Sequence, residues 1–267
     1  IYVEFTRNVP LLLQILLWYA ILIQLPLIKQ APQLWETFYI SNRGLFGPRP
    51  IFESGFNVVF AFIILSIVIS FFLKRWAKKR QETTGQQFPI FSTNLAIIIF
   101  LPLIVFFIMG SPMTLEYPVL KGFNFKGGMV IKPEFLAMFL ALSIYTAAFI
   151  SETVRSGILS VTKGQREASA ALGLKQNWIM RLIIIPQALR VIVPPLTSQY
   201  LNLTKNSSLG IAVGYADLVH GFGGISLNQT GQAIECMAIT MATYLVISLT
   251  ISLFMNIYNR SIQFKEK

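Results

Sequence analysis

Long apolar runs separated by short polar stretches make up most of the chain. Leu11 to Ile28 is interrupted only by Gln14, Gln24 and Pro26. Phe56 to Leu73 holds one Asn and two Ser and no charge, and Leu95 to Met109 holds a single proline. Further runs follow over Phe135 to Ile150, the more polar Gln187 to Thr204, and Ile234 to Tyr258, which carries Glu235 near its start. A bilayer core of about 30 Å needs about 20 helical residues. Flanks such as Pro89–Phe91 before the third run and Ser151 and Thr153 after the fourth bring the shorter runs close to that length. The pattern predicts an all-α fold: a polytopic membrane helix bundle of about six transmembrane helices, as a single transmembrane domain over residues 1–267. The fifth run is the weakest by hydropathy.

Composition sharpens this picture. Of the 267 residues, 54% are hydrophobic and only 12% charged, where a soluble domain carries about 25%. The formal charge of +11 arises from 22 Lys and Arg against 11 Asp and Glu. It reflects scarce acids rather than added bases, so it argues against a nucleic-acid partner and for basic loops on a lipid bilayer. Lys74-Arg75-Trp76-Ala77-Lys78-Lys79-Arg80 closes the second run and places that end in the cytoplasm by the positive-inside rule. Alternation then puts 1–10, 74–94, 151–190 and 259–267 inside, so the C-terminus is cytoplasmic. It puts 29–55, 110–133 and 205–231 outside, and the inside segments hold 15 of the 22 basic residues. One cysteine, Cys236, excludes an internal disulfide and a multi-Cys metal site, and one histidine, His220, excludes a multi-His metal site. No catalytic constellation is visible, and the chain starts at Ile1 rather than Met.

The fifth run is suited to a protein or water environment rather than to lipid. Pro194 and Pro195 remove two amide donors and free carbonyls one turn back, which lipid does not satisfy. Thr197, Ser198, Gln199, Asn202, Thr204, Lys205 and Asn206 follow, with Ser198, Asn202 and Asn206 spaced to share a helix face. Two uses fit that face, hydrogen bonding to neighbouring helices or lining a polar path, and the residues leave both open. Glu235 likewise suits either a helix-dipole partner at the outer interface or an intramembrane functional carboxylate.

Residues 163–186 form the most specific segment. Gln165 to Leu172 predicts a slim, alanine-rich helix, ended by Gly173 where a left-handed residue belongs. A second helix is predicted from about Gln176 to Leu182, with Trp178, Ile179 and Leu182 on its apolar face, before Pro186 opens the next span. Such a helix–glycine–helix unit suits a groove on another protein or the bilayer surface with Trp178 as anchor.

Glu167-Ala168-Ser169, then Gly173, then Ile183-Ile184-Ile185-Pro186 resembles the "EAA" loop of permease subunits of binding-protein-dependent ABC importers. Ser169 replaces an alanine and Ile185 a leucine of that pattern. Arg7-Asn8-Val9-Pro10-Leu11-Leu12-Leu13-Gln14, Gly164-Gln165-Arg166-Glu167, Ala171-Leu172-Gly173-Leu174 and Lys205-Asn206-Ser207-Ser208-Leu209 are similar to segments of polar amino-acid permeases. The long segments 29–55 and 110–133 resemble the larger general L-amino-acid type. The resemblance implies a helix preceding Pro10–Leu13, and hence a longer N-terminus.

It also implies that 151–186 is a cytoplasmic coupling loop. Gly164, Glu167, Ala168, Ser169, Ala171, Leu172, Gly173, Leu174 and Pro186 would engage separate ATP-binding cassette ATPase subunits. A second permease subunit, like or unlike this one, and a periplasmic amino-acid-binding protein complete the system in the bacterial inner membrane. This chain has no G-x-x-x-x-G-K-[ST] phosphate loop, so no cofactor is expected on it and ATP and Mg belong to the ATPase. Thr197, Ser198, Gln199 and Asn202 offer hydrogen bonds, and Lys205 and Glu235 charge, to an amino-acid substrate. Glu152 and Arg155, three residues apart, read as loop-positioning residues before substrate ligands. The alternative is a secondary, ion-coupled transporter of small polar solutes using Glu235 or Asp217.

Overall fold

The computed structural model describes residues 2–35 and 37–262. Two short helices, α1 (Tyr2–Asn8) and α2 (Leu11–Ile23), lead into four strands, β1 (Gln33–Leu34), β2 (Phe38–Ser41), β3 (Gly44–Gly47) and β4 (Arg49–Phe52). Two long helices follow, α3 (Phe56–Thr84) and α4 (Ile90–Ile108), then β5 (Met113–Glu116), β6 (Val119–Lys121), β7 (Asn124–Lys126) and β8 (Met129–Ile131). The last part is helical: α5 (Pro133–Leu159), α6 (Lys163–Ala171), α7 (Gln176–Ile179), α8 (Ile185–Asn206), α9 (Leu227–Thr230) and α10 (Ala233–Ile262). Among the described residues five helices are long and apolar enough to cross a membrane: α3, α4, α5, the continuous helix Gln176–Val213, and α10. A sixth crossing exists only if α1 and α2, bent by 105°, count as one span. The chain divides into two compact units.

The first unit comprises the residues up to Leu27, Ser41–Gly44 and the chain from Ile131 onward. The first apolar run does not form the uninterrupted span expected over Leu11–Ile28. Pro10 breaks the helix before it, and the helix ends ahead of Pro26. The 13 residues of α2 reach only about 20 Å at 1.5 Å per residue. Gln14 Nε2 donates to the carbonyls of Thr6 (2.9 Å) and Val9 (3.0 Å), groups the break leaves without helical donors. Leu11 and Ile15 pack with Met138, Ala141, Leu142 and Val213, so α2 lies against α5 and the segment after α8. The α5–α8 contact is close at Gly157, where a Cβ would stand 2.3 Å from Ile192 Cγ1.

The second unit comprises 28–40 and 45–130. Helices α3 and α4 pair as a hairpin closed at Gly85, which has a positive φ of 69°. At 29 residues, α3 is about 43 Å long, well beyond a core of about 30 Å. The basic stretch Lys74–Arg80 therefore continues the helix instead of forming a loop. Arg80 stacks over Trp76 (5.4 Å), which meets Phe88 edge-on (5.6 Å). Phe60, Ile64, Phe71 and Phe107 are exposed, as befits residues facing lipid rather than water.

The segments 29–55 and 110–133 contain β-structure that the apolar runs did not predict. A four-stranded sheet has the order β1-β2-β3-β8, and two antiparallel pairs join β4 to β5 and β6 to β7. Ile51 stands opposite Thr114, and Leu120 opposite Phe125. Ile28, Phe46 and Phe125 form a small core with Tyr39, their rings 4.6 and 4.8 Å apart. Strands of two to four residues are too short for alternation to be read from sequence.

Candidate functional site

The 163–186 segment presents two distinct faces. Helix α6 ends as its composition predicts. Gly173 has φ +78°, its N–H donates to the Ala170 carbonyl (2.9 Å), and Leu174 N–H donates to the Ser169 carbonyl (3.3 Å). These two bonds are the pair that satisfies the last carbonyls of a helix closed by a left-handed glycine. Gly164, Glu167, Ala168, Ala171, Leu172 and Gly173 lie exposed on the outward side, and Leu172 at the tip is 81% accessible. Ser169 is buried and donates its hydroxyl to the Gln165 carbonyl. Leu174 points the other way, into a cluster of Val161, Ile179, Ile184, Ala188 and Ile192 with Val154 and Ile158. Arg166 Nη2 donates to the Ile158 carbonyl (2.8 Å), fastening α6 to the end of α5.

The second predicted helix does not stop before Pro186. Gln176–Val213 is continuous, running through a wide turn at Met180–Ile184, and Pro186 sits in the first turn of α8. Proline there deprives the Leu182 carbonyl of its helical donor, and the wide turn directly upstream takes up the altered register. Of the predicted apolar face only Ile179 is buried; Trp178 and Leu182 are exposed.

Helices α5 and α8 also frame two adjoining clefts. The first, about 220 Å³, is lined by Tyr145, Thr146, Phe149, Gln199, Asn202, Leu203 and Asn206. The second, about 350 Å³, is lined by Phe149, Glu152, Thr153 and Ser156 of α5, Val191, Pro195 and Gln199 of α8, and Arg7 of α1. Phe149 and Gln199 line both clefts and so form the neck between them. On α5 the lining positions 145, 149, 152 and 156, flanked by 146 and 153, and on α8 positions 191, 195, 199, 202 and 206, flanked by 203, recur at three- and four-residue spacing. A single stripe of each helix thus faces the groove. From Tyr145 to Ser156 the groove runs about 16 Å along α5. The Arg7 guanidinium lies over the Phe149 ring at 5.1 Å, within cation–π range.

Of the residues expected along a substrate path, the structure brings Gln199 and Asn202 together with Asn206. Thr197, Ser198, Lys205 and Glu235 are not among the lining residues of these clefts. Thr197 is half-buried and its hydroxyl bonds back to the Val193 carbonyl (3.4 Å). Ser198 and Lys205 are exposed on α8, and Glu235 is exposed in the first turn of α10. Tyr145, Thr146 and Phe149 sit in an apolar stretch where only the packing of α5 reveals their place, and Arg7, quoted from sequence only as part of a family-like segment, joins them in the larger cleft. Glu152, expected to position the loop before serving as a substrate ligand, lines the larger cleft while pairing at 3.9 Å with Arg155.

Residues 83–264 match the family described as "binding-protein-dependent transport system inner membrane component". The chain is 51% identical to the general L-amino acid transport system permease protein AapQ of Rhizobium johnstonii over 268 residues, covering 100% of this chain and 67% of that protein. It is also 51% identical to the putative amino-acid ABC transporter permease protein YhdX of Escherichia coli, covering 100% of this chain and 68% of that protein. Identity to the glutamate/glutamine/aspartate/asparagine transport system permease protein BztB of Rhodobacter capsulatus is 42% over 299 residues, covering 100% of this chain and 70% of that protein. With its membrane helices, its EAA-like loop and these matches, the chain belongs to the family of inner-membrane components of binding-protein-dependent transport systems.

Proposed function

We propose that this chain is one of two permease subunits of an ABC importer for L-amino acids. A periplasmic binding protein delivers the substrate, and separate ATPase subunits, which bind ATP and Mg, drive its passage. The chain itself catalyses no reaction. One observation carries this reading: the helix Gln176–Val213 belongs to both functional regions. Its Ile184, Ala188 and Ile192 are locked into the core behind the 163–174 loop, and its Val191, Pro195, Gln199 and Asn202 line the groove. A displacement of the loop therefore shifts one wall of the groove as a rigid body.

The outward face supplies the ATPase contact. Gly164, Glu167, Ala168, Ala171, Leu172 and Gly173 offer a narrow helix end with one exposed leucine, while Ser169, Leu174 and Pro186 tie that end to the membrane helix. This assignment puts the loop and the C-terminus in the cytoplasm, in keeping with the basic excess on that side. The groove supplies the path. Tyr145, Thr146, Gln199, Asn202 and Asn206 offer neutral donors and acceptors, which suits solutes whose side chains differ in charge. Thr197, Ser198, Lys205 and Glu235 join the path only where a second permease subunit closes over them. The ion-coupled alternative rests on Glu235 or Asp217, and neither lines the clefts; the carboxylate that does, Glu152, is paired with Arg155.

The test is a pair of loop variants, Glu167→Lys and Gly173→Trp, in the full-length protein co-expressed with its partners. Both should lose ATPase co-purification or ATP-driven uptake by at least tenfold while the permease stays folded in the membrane. Wild-type co-purification together with wild-type uptake in both variants rules out the loop as the ATPase contact.

A further inference from the structure

Helix α3 sorts its residues onto two separate faces. Its buried residues, Val59, Ser66 and Ala77, fall within about 20° of one another around the helix, and that face packs on α4. About a third of a turn away, Phe60, Ile64, Ile67 and Phe71 are each more than half exposed. They form one apolar stripe about 16 Å long. One leaflet of a bilayer core of about 30 Å is about 15 Å thick, so the stripe has the length of an acyl layer. Lys74, Arg75 and Lys78 continue the same stripe, Lys79 flanks it, and all four are exposed. Glu82 is the only acid between Lys74 and Thr84. It meets Lys78 at 4.0 Å with both side chains largely exposed, a pair of small energetic weight. Among the described residues no ion pair involves Lys74, Arg75 or Lys79.

Aromatic contacts set the depth of this basic end. The Arg75 guanidinium lies over the Phe71 ring at 5.6 Å, joining the charged segment to the top of the apolar stripe. Trp76, half-exposed, is met edge-on by Phe88 and covered by Arg80; such amphipathic rings sit at headgroup level. Arg80 also donates to Gln86 Oε1 (3.3 Å), so it is engaged within the hairpin while the other four bases are open. We propose that this face of α3 holds an anionic phospholipid. Its acyl chains lie along Phe60, Ile64, Ile67 and Phe71, and its phosphate meets Lys74, Arg75 and Lys78. The order of the two halves of the stripe identifies the occupant, because a phospholipid carries chain and phosphate in that same order. Basic clusters directly beside a membrane helix attract anionic lipid, and charge-assisted bonds to phosphate oxygens are among the strong ones. The positive-inside rule accounts for the side of the membrane on which the bases lie. It does not account for their alignment with the apolar stripe. The inference is independent of the importer reading.

Quenching by brominated lipid tests this in the full-length protein, assembled with its second permease and ATPase in phosphatidylcholine vesicles. Cys236 is the chain's one cysteine and is buried, so Ile67→Cys carries a bimane reporter on the stripe and Phe107→Cys one at the far end of the hairpin. Dibrominated phosphatidylglycerol should quench the Ile67→Cys reporter with an affinity at least about threefold above that of dibrominated phosphatidylcholine. At Phe107→Cys the two lipids should quench equally. Lys74→Gln with Lys78→Gln should at least halve the preference at Ile67→Cys, and Lys74→Arg with Lys78→Arg should keep it. High sodium chloride should lower it by screening, and replacing chloride with inorganic phosphate at equal ionic strength should change nothing further. Equal preference at both reporters leaves only a diffuse attraction to a charged surface and overturns the site. So does a preference that survives the glutamine pair or, where that pair does not insert, survives high salt. Loss of preference in phosphate but not in chloride gives the bases to the free ion instead of the lipid. An Ile67→Cys reporter that neither brominated lipid quenches means that protein covers the stripe, and overturns the proposal as well.

Discussion

Gly157 shows how closely α5 and α8 approach. A side chain there meets Ile192 Cγ1 at 2.3 Å and the Ala188 carbonyl at 3.2 Å. Gly157→Val should lower stability by about 1–3 kcal/mol, the usual cost of overpacking, and Ile192→Ala in the same chain should recover part of it. Thermal unfolding of the detergent-solubilised protein measures both; an unaltered midpoint in Gly157→Val contradicts the close crossing. Gly173 and Gly157 also differ in how far sequence reveals them. Gly173 ends a helix, so its neighbours announce it. The need for glycine at 157 comes from a residue far along the chain, and no local pattern encodes it. The groove face of α8 illustrates a related limit. Ser198 and Gln199 point about 100° apart on a helix of 3.6 residues per turn, so a small change in winding decides which of them lines the cleft. The wide turn at Met180–Ile184 and the prolines at 194 and 195 set that winding.

Among the elements, the long apolar helices were legible because their runs far exceed the length of any strand. Two features were not. The first run carries enough apolar residues for a span, yet Pro10 and Pro26 bracket a 13-residue helix, and which proline ends a helix depends on what satisfies the freed carbonyls. Here Gln14 does so, a role invisible in an apolar count. The second is the β-structure of 29–55 and 110–131, whose pairing of β4 with β5 joins strands separated by an entire helical hairpin. That pairing has a direct check. Ile51→Cys with Thr114→Cys, directly opposed and so about 5 Å apart at Cβ, should cross-link on mild oxidation. Ile51→Cys with Glu116→Cys, two positions out of register, should not. Equal cross-linking of both pairs, or of neither, contradicts the pairing.

For the molecule as a whole, the excess of basic residues and the EAA-like segment point the same way. Of 22 Lys and Arg, 15 fall in segments assigned to the cytoplasm, and six of these lie in 151–190, where the loop core anchors the continuous helix. The sequence pattern located the loop and the polar stretch of α8 separately. What it did not contain was their mechanical union in one helix, because that depends on Pro186 being absorbed into a helix instead of breaking it. The account therefore stands on coupling: loop and groove move together, and ATP supplies the work. Uptake of labelled L-glutamine into proteoliposomes holding the full-length protein, its second permease and its ATPase, with binding protein outside and ATP inside, measures this most directly. The account predicts accumulation that requires ATP and vanishes when the ATPase is inactivated or Glu167→Lys is introduced. Accumulation that persists with an inactive ATPase and follows an imposed proton or sodium gradient would contradict it.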